Sequence, residues 1–217
     1  MYNYKVQVRD EILKFRKWKV KDRNKYVSNQ GNTELMREAL VYDCLENDNV
    51  ALSDEEYKYV LCKIRDVSIS DPIEYTFTCG SCGHEFDYNA KLSEIITCNK
   101  TKYGLIEAGN DSFVMGAIRN RKFYTDMTSG ADENAQDFID FILHIHSYNL
   151  NDAMTFDELT DAVNNLDIDV FENVYTQWEQ MKFKVNNTHA VTCPECNEQE
   201  TYEFDDLPGF FPSSWNK

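Results

Sequence analysis

The chain has 217 residues, with 38 Asp+Glu against 22 Lys+Arg and a formal charge of −16 at pH 7. That length can bury a full core, in one domain or two small ones. The 13 Phe, 13 Tyr and 3 Trp are too many for an acidic disordered chain. No apolar run approaches the length of a membrane span, and the start, Met1-Tyr-Asn-Tyr-Lys-Val, lacks the apolar core of a secretion signal.

The charge is unevenly spread. Residues 1–25 hold nine Lys/Arg against three Asp/Glu, so the remaining 192 residues carry 13 basic and 35 acidic side chains. Nucleic-acid binding depends on neutralising phosphates, which most of this chain would repel. The basic arm alone suits a phosphate backbone, an acidic partner or the protein's own acidic surface. Seven cysteines in a chain with no secretion signal point to a reducing cytoplasm.

Residues 2–9 alternate with the period of a half-buried strand, Asp10-Glu11 makes a turn, and Ile12 to Trp18 alternates again. The expectation is an N-terminal hairpin with basic residues outward. Asp22 to about Ser28 predicts a short helix broken by Gly31-Asn32. From Thr33, the apolar residues Met36, Leu40 and Leu45 fall at helical spacing, ending before Asn47-Asp-Asn49. Ser53 followed by Glu56 is a capping box, and Tyr57, Val60, Leu61 and Ile64 form the buried stripe of the helix it opens. Asp71-Pro72 ends that helix.

A β-prone segment, Ile73 to Thr78, then leads into Cys79-Gly-Ser-Cys82 and out through Glu85 to Tyr88. Leu92 to Ala108 has no clear period. Ser112 to Ile118 and Lys122 to Tyr124 read as strands. Helices follow over Glu133 to about Tyr148, from the capping box Thr155/Glu158 to about Asn164, and over Asp167 to about Phe183. All three are acidic outside and aromatic inside. Thr188 to Thr192 then leads into Cys193-Pro-Glu-Cys196 and out through Glu200 to Phe204. The chain closes on Leu207-Pro-Gly-Phe-Phe-Pro-Ser-Ser-Trp215, which Pro208 and Pro212 keep from continuing a strand.

The two Cys-x-x-Cys knuckles share their flanks. A threonine precedes each, and a tyrosine, Tyr88 or Tyr202, lies nine residues past the first cysteine. Cys79, Cys82, Cys193 and Cys196 together supply four thiolates, the complement of a closed tetrahedral zinc site. Two residues between cysteines let both sulfurs converge on one ion, and glycines at 80 and 83 let the backbone turn close to sulfur. The expectation is a zinc ribbon of two facing hairpins, with one structural Zn2+ per chain. Iron on the same sulfurs, two disulfides, and a redox dithiol are the alternatives. His84 is a candidate donor to a ligand or an alternative ligand. Cys44 and Cys62 read as packing residues.

No P-loop, dinucleotide fingerprint, nucleophile elbow or EF-hand loop is present. His144 and His146, two apart on an expected helix, would point to opposite sides. The acidic clusters read as solvated faces. There is no catalytic constellation, so the chain is expected to be no enzyme and to have no small-molecule substrate.

The front half resembles a known family. Phe15-Arg16-x-Trp18-x-Val20-Lys21, a helix ending in Tyr42-Asp-Cys44, and then Leu52 to Arg65 with Ser68, follow the order of features in the baseplate hub assembly proteins, or assembly chaperones, of T-even-like contractile-tailed bacteriophages. The similarity covers about residues 11 to 95. This chain departs from it by Asp43 before Cys44 and by its acidic helical insertion. The resemblance implies a non-enzymatic protein in the host cytoplasm that helps build the central hub of a tail baseplate, and that can remain in the virion. Its partners would be other hub, tail-tube or tape-measure proteins.

The expected fold class is α+β, in three parts. Residues 1–92 hold the N-terminal hairpin, two helices and the first knuckle. Residues 93–187 are a mainly helical acidic insertion, and 188–217 complete the ribbon and carry the aromatic tail. In that tail Phe210, Phe211 and Trp215 are candidate anchors for a partner subunit; folding back onto the chain's own surface is the alternative. A zinc-ribbon nucleic-acid or transcription regulator is the second function class, and a zinc or thiol enzyme the third.

Overall fold

Alternation in the first 15 residues becomes a hairpin. Tyr4–Val8 (β1) pairs antiparallel with Glu11–Phe15 (β2), with Val6 opposite Leu13 and Tyr4 opposite Phe15. Val6, Val8, Leu13 and Phe15 turn inward, while Lys5, Gln7, Ile12 and Lys14 face water. The computed structural model describes residues 1–9, 11–69, 71–99, 102–118 and 120–204. Phe210, Phe211 and Trp215 lie outside them.

The hairpin is followed by Val20–Ser28 (α1), Thr33–Leu40 (α2), a 3-10 turn at Tyr42–Cys44, Asp54–Ser68 (α3), Ile73–Thr78 (β3), Glu85–Ala90 (β4), Leu92–Ile95 (α4) and Thr97–Cys98 (β5). Then come Leu105–Ala108 (β6), Asp111–Met115 (β7), Arg121–Thr128 (α5), Glu133–His144 (α6), Ile145–Tyr148 (β8), Phe156–Asn164 (α7) and Ile168–Met181 (α8). Val185–Asn186 (β9), Thr188–Thr192 (β10) and Gln199–Glu203 (β11) complete the order. Helices with small antiparallel sheets make the fold α+β.

The chain divides into two compact units. One is built from Met1–Asp48, Asp54–Asn99 and the described residues from Lys184; the other from Asn49–Ser53 and Lys100–Phe183.

In the first unit, β3–β4 and β10–β11 form separate two-stranded sheets, and β5 pairs with β9. Their shared core is Cys62 of α3, Ile73, Tyr75, Ala90, Leu92, Ile95, Ile96, Val191 and Phe204. Alternation again selects the inner face: Ile73 and Tyr75 are buried while Glu74 and Thr76 are exposed. α2 ends at Leu40, earlier than the spacing suggests. Leu45 leaves helical register to bridge Phe15, and Arg16 N–H donates to the Cys44 carbonyl (3.0 Å).

In the second unit, the sheet β6-β7-β8 packs on α6, α7 and α8 around Phe113, Phe141, Ile142, Val174 and Trp178. Asp137, Asp157, Glu158, Asp161, Asp169 and Glu172 face solvent. Two expectations are corrected here. Lys122 to Tyr124 lies in helix α5, because Asn120 caps it, its Oδ1 accepting the Phe123 N–H (3.1 Å). The helix from Glu133 stops at His144, and Ile145–Tyr148 pairs with β7 instead; a β-branched residue and a waiting strand edge override helical spacing. His146 therefore lies on a strand, its Nε2 2.7 Å from the Ala117 carbonyl oxygen. His144 is buried, with Nδ1 2.6 Å from the Asp140 carbonyl.

Candidate metal centre

Each knuckle is the turn of a hairpin, and the two turns are built alike. Cys79 N–H donates to the His84 carbonyl (2.9 Å), and Cys193 N–H to the Glu198 carbonyl (2.8 Å). In return the residue four past the first cysteine donates back: Gly83 to Cys79 O (2.9 Å) and Asn197 to Cys193 O (3.0 Å). Both donors are left-handed, with φ of 73° at Gly83 and 61° at Asn197. Glycine adopts that conformation freely and asparagine is among the side-chain residues that tolerate it, so each knuckle ends on a residue suited to its turn.

The turns bring the four sulfurs together. Cys79 Sγ lies 3.6 Å from Cys196 Sγ, Cys82 Sγ lies 3.8 Å from Cys193 Sγ, and all four fall within 4.8 Å of one another. A tetrahedron of sulfurs about 2.3 Å from a central ion has edges of about 3.8 Å. Disulfide sulfurs sit about 2.05 Å apart, and these cysteines are free thiols. The donor set and its spacing therefore fit one soft, tetrahedral ion. In each knuckle the first cysteine is buried and the second exposed. Backbone N–H groups, that of Cys196 foremost, lower the pKa of the Cys193 thiol. Among the described residues no histidine joins the cluster. His84 is exposed and stacks beside Phe86.

The second hairpin lies on the first through a ladder of side chains. On β11 and the residue after it, Glu200, Tyr202 and Phe204 share a face; on β3 and the turn after it, Tyr75, Phe77 and Cys79 do. Phe204 meets Tyr75 edge-on at 4.7 Å, and Tyr202 stacks on Phe77 at 4.2 Å. Glu200 Oε1 accepts the Gly80 N–H at 2.8 Å and lies 3.6 Å from Cys79 Sγ. The Tyr202 hydroxyl donates to Glu200 Oε2 (2.7 Å), and together with the Gly80 N–H it holds this carboxyl below the usual carboxylate range. Glu200 is the site residue that spacing arguments overlooked. Its signal was the Glu-x-Tyr-x-Phe alternation facing Tyr-x-Phe-x-Cys.

Residues 1–212 match the T4 bacteriophage base plate protein family. The chain belongs to that family. No curated protein and no solved structure matches it.

In this base plate protein the motif residues of the front half are structural. Phe15 is a core residue. Arg16 forms a buried, two-pronged ion pair with Asp22 (2.6 and 2.9 Å) and also donates to the Asp43 carbonyl (2.7 Å). Trp18 Nε1 donates to the Leu40 carbonyl (2.7 Å), and Ser68 Oγ accepts the Trp18 N–H (2.9 Å). Arg65 donates to the Asp71 carbonyl at the entry to the first hairpin (2.6 Å). The basic arm is partly neutralised: Arg9 pairs with Glu56, Lys14 with Glu46, and Lys25 with Glu38 and Asp43. No helix among the described residues is long and apolar enough to cross a membrane.

Proposed function

We propose that this protein is a non-enzymatic structural or assembly component of a contractile-tail baseplate, acting at the central hub, and that a zinc ribbon stabilises it. The observation that carries the baseplate reading is the family match over residues 1–212. The hub role rests on the motif order from Phe15 to Ser68. The zinc reading rests on four thiols at tetrahedral spacing between two facing hairpins. Cys79, Cys82, Cys193 and Cys196 would hold the ion. With all four positions taken by sulfur, it would supply cross-linking and folding free energy rather than an open catalytic position.

The partners are other hub, tail-tube or tape-measure subunits, met in the host cytoplasm during assembly. Phe210, Phe211 and Trp215 are proposed as the anchors that dock into such a subunit, large aromatics being the residues that dominate interfaces. A nucleic-acid regulator is less well supported. Arg9, Lys14, Arg16 and Lys25, four of the nine cations of the arm, are already engaged by carboxylates.

Affinity capture of the tagged protein from infected cells, read by mass spectrometry, tests this reading. Tail-tube, hub or tape-measure proteins at fixed ratio are expected; polymerase subunits or nucleic acid would overturn it. Deleting residues 208–217 should abolish capture while the bound zinc remains. An unfolded truncation would assign the tail to the protein's own core instead.

A further inference from the structure

The two knuckles are alike in backbone but not in surroundings. At the first, the turn residue Gly80 offers its N–H to Glu200 of the opposite hairpin. A Cβ at position 80 would lie 3.2 Å from Glu200 Oε1, so bare backbone is what lets the carboxylate approach this closely. At the second, the matching turn residue is Pro194, which has no N–H to give. Seven residues past the first cysteine stands Glu200 in one hairpin and Phe86 in the other. The carboxylate is thus a one-sided device.

We propose that Glu200 is a positioning residue of the metal centre, a latch that ties the Cys79 turn to the second hairpin and sets how fast the ion is released. The inference rests on the metal reading above. For the ion to leave, the Cys79 turn and the Cys193 turn must part, or a cysteine must swing away. Glu200 opposes the first of these motions: one oxygen is fixed by Gly80, the other by the Tyr202 hydroxyl, and Tyr202 is itself held by its stack on Phe77. The function resides in accepting hydrogen bonds. Nearby thiolates repel its negative charge, so the latch works through the hydrogen bonds that the carboxylate accepts. A glutamine in its place would drop the charge, keep the acceptor for Gly80, and keep the tie to Tyr202 with its direction reversed, the amide N–H donating to the phenol oxygen.

The experiment loads the full chain with Zn2+ and follows transfer to a chromophoric chelator. Partners that orient ligands typically govern metal affinity by about 10–100-fold. Glu200→Ala should therefore release zinc about 10-fold faster, while Glu200→Gln stays within about 3-fold of the parent. Loaded with Co2+, Glu200→Ala should change the shape of the visible absorption bands and Glu200→Gln should not. Tyr202→Phe, which removes only the hydroxyl, should accelerate release by a smaller factor, and it serves if Glu200→Ala does not fold. Parental release from Glu200→Ala, or from Tyr202→Phe where that variant stands in, would overturn the latch. So would Glu200→Gln releasing as fast as Glu200→Ala. A parent chain that binds no zinc would overturn the metal reading beneath it.

Discussion

Arg16 and Asp22 face each other across six residues, guanidinium to carboxylate through two hydrogen bonds, with both side chains almost wholly buried. Asp22 also accepts the Lys19 N–H at 2.7 Å, so it fixes the entry to α1 while it holds the arginine. The Arg16–Asp22 hydrogen bonding raises the Arg16 pKa above the usual arginine range. Removing one partner leaves an uncompensated buried charge, which costs about 3–5 kcal/mol. Asp22→Ala should lower unfolding free energy by about that amount in urea titration. The double substitution Arg16→Met with Asp22→Leu should cost less than the two single changes summed, because it leaves no orphaned charge.

Metal removal gives a second outcome. The parent chain is expected to carry about one equivalent of zinc per chain, measured by atomic emission, because the chain has one four-cysteine cluster among its described residues. Cys193→Ser, or stripping by a strong chelator, should lose the ion and unfold the hairpins that it joins, since binding free energy at such sites is folding free energy. A metal-free chain with an unchanged melting temperature would remove the ribbon from the account.

The left-handed residues of the knuckles should respond alike to alanine. Nothing lies within 4 Å of a Cβ at Gly83, so only backbone strain opposes a side chain there. Gly83→Ala and Asn197→Ala should each destabilise by about 1–2 kcal/mol, whereas Asn197→Gly should not. Differential scanning calorimetry of the three metal-loaded variants checks the order.

Asp140 provides the pH dependence. It is buried on α6, with Lys182 Nζ at 3.7 Å and His144 Nδ1 at 3.8 Å, and Asp137 and Glu179 add like charge nearby. Burial, set against the pull of Lys182, raises its carboxyl from the ordinary 3.8 to about 6. Between those values the folded chain binds a proton that the unfolded chain has released, so this group's contribution improves as pH falls from about 6 towards 4. Above pH 6 the buried carboxylate is a net cost. Asp140→Asn should therefore be more stable than the parent at pH 7, by about 1–2 kcal/mol, and the difference should shrink as pH approaches 4. A gap that widens on acidification would contradict the assignment.

Much of this was readable before any coordinates, and for identifiable reasons. Cys-x-x-Cys is a local geometry that sets two sulfurs side by side, and the repeated flanks matched positions 79 and 82 with 193 and 196 without knowledge of the 110 residues between them. Strands Ile73–Thr78 and Thr188–Thr192 followed from alternation, and α7 from its capping box at Thr155 and Glu158, which the hydrogen bonds reproduce. What could not be read depended on distant partners. Ile145 to Tyr148 continues a helical pattern until the edge of β7 is there to receive it. Asp22 looks like an ordinary surface acid until Arg16 is folded over it. Glu200 resembles its exposed neighbours in β11 until Gly80 is placed 2.8 Å away.

The distance along the chain between the knuckles has a consequence in time. A ribosome adding about 5–20 residues per second makes Cys193 about 6–22 s after Cys82. Through that interval the first hairpin has two thiols, half of the four-sulfur set. It has neither the Tyr202 stack nor the Glu200 clasp. The other two sulfurs and the residues that stack on the first hairpin all come from residues 193–204. A metal ion at the four cysteines could therefore be enclosed only once all 110 residues between the knuckles have been made.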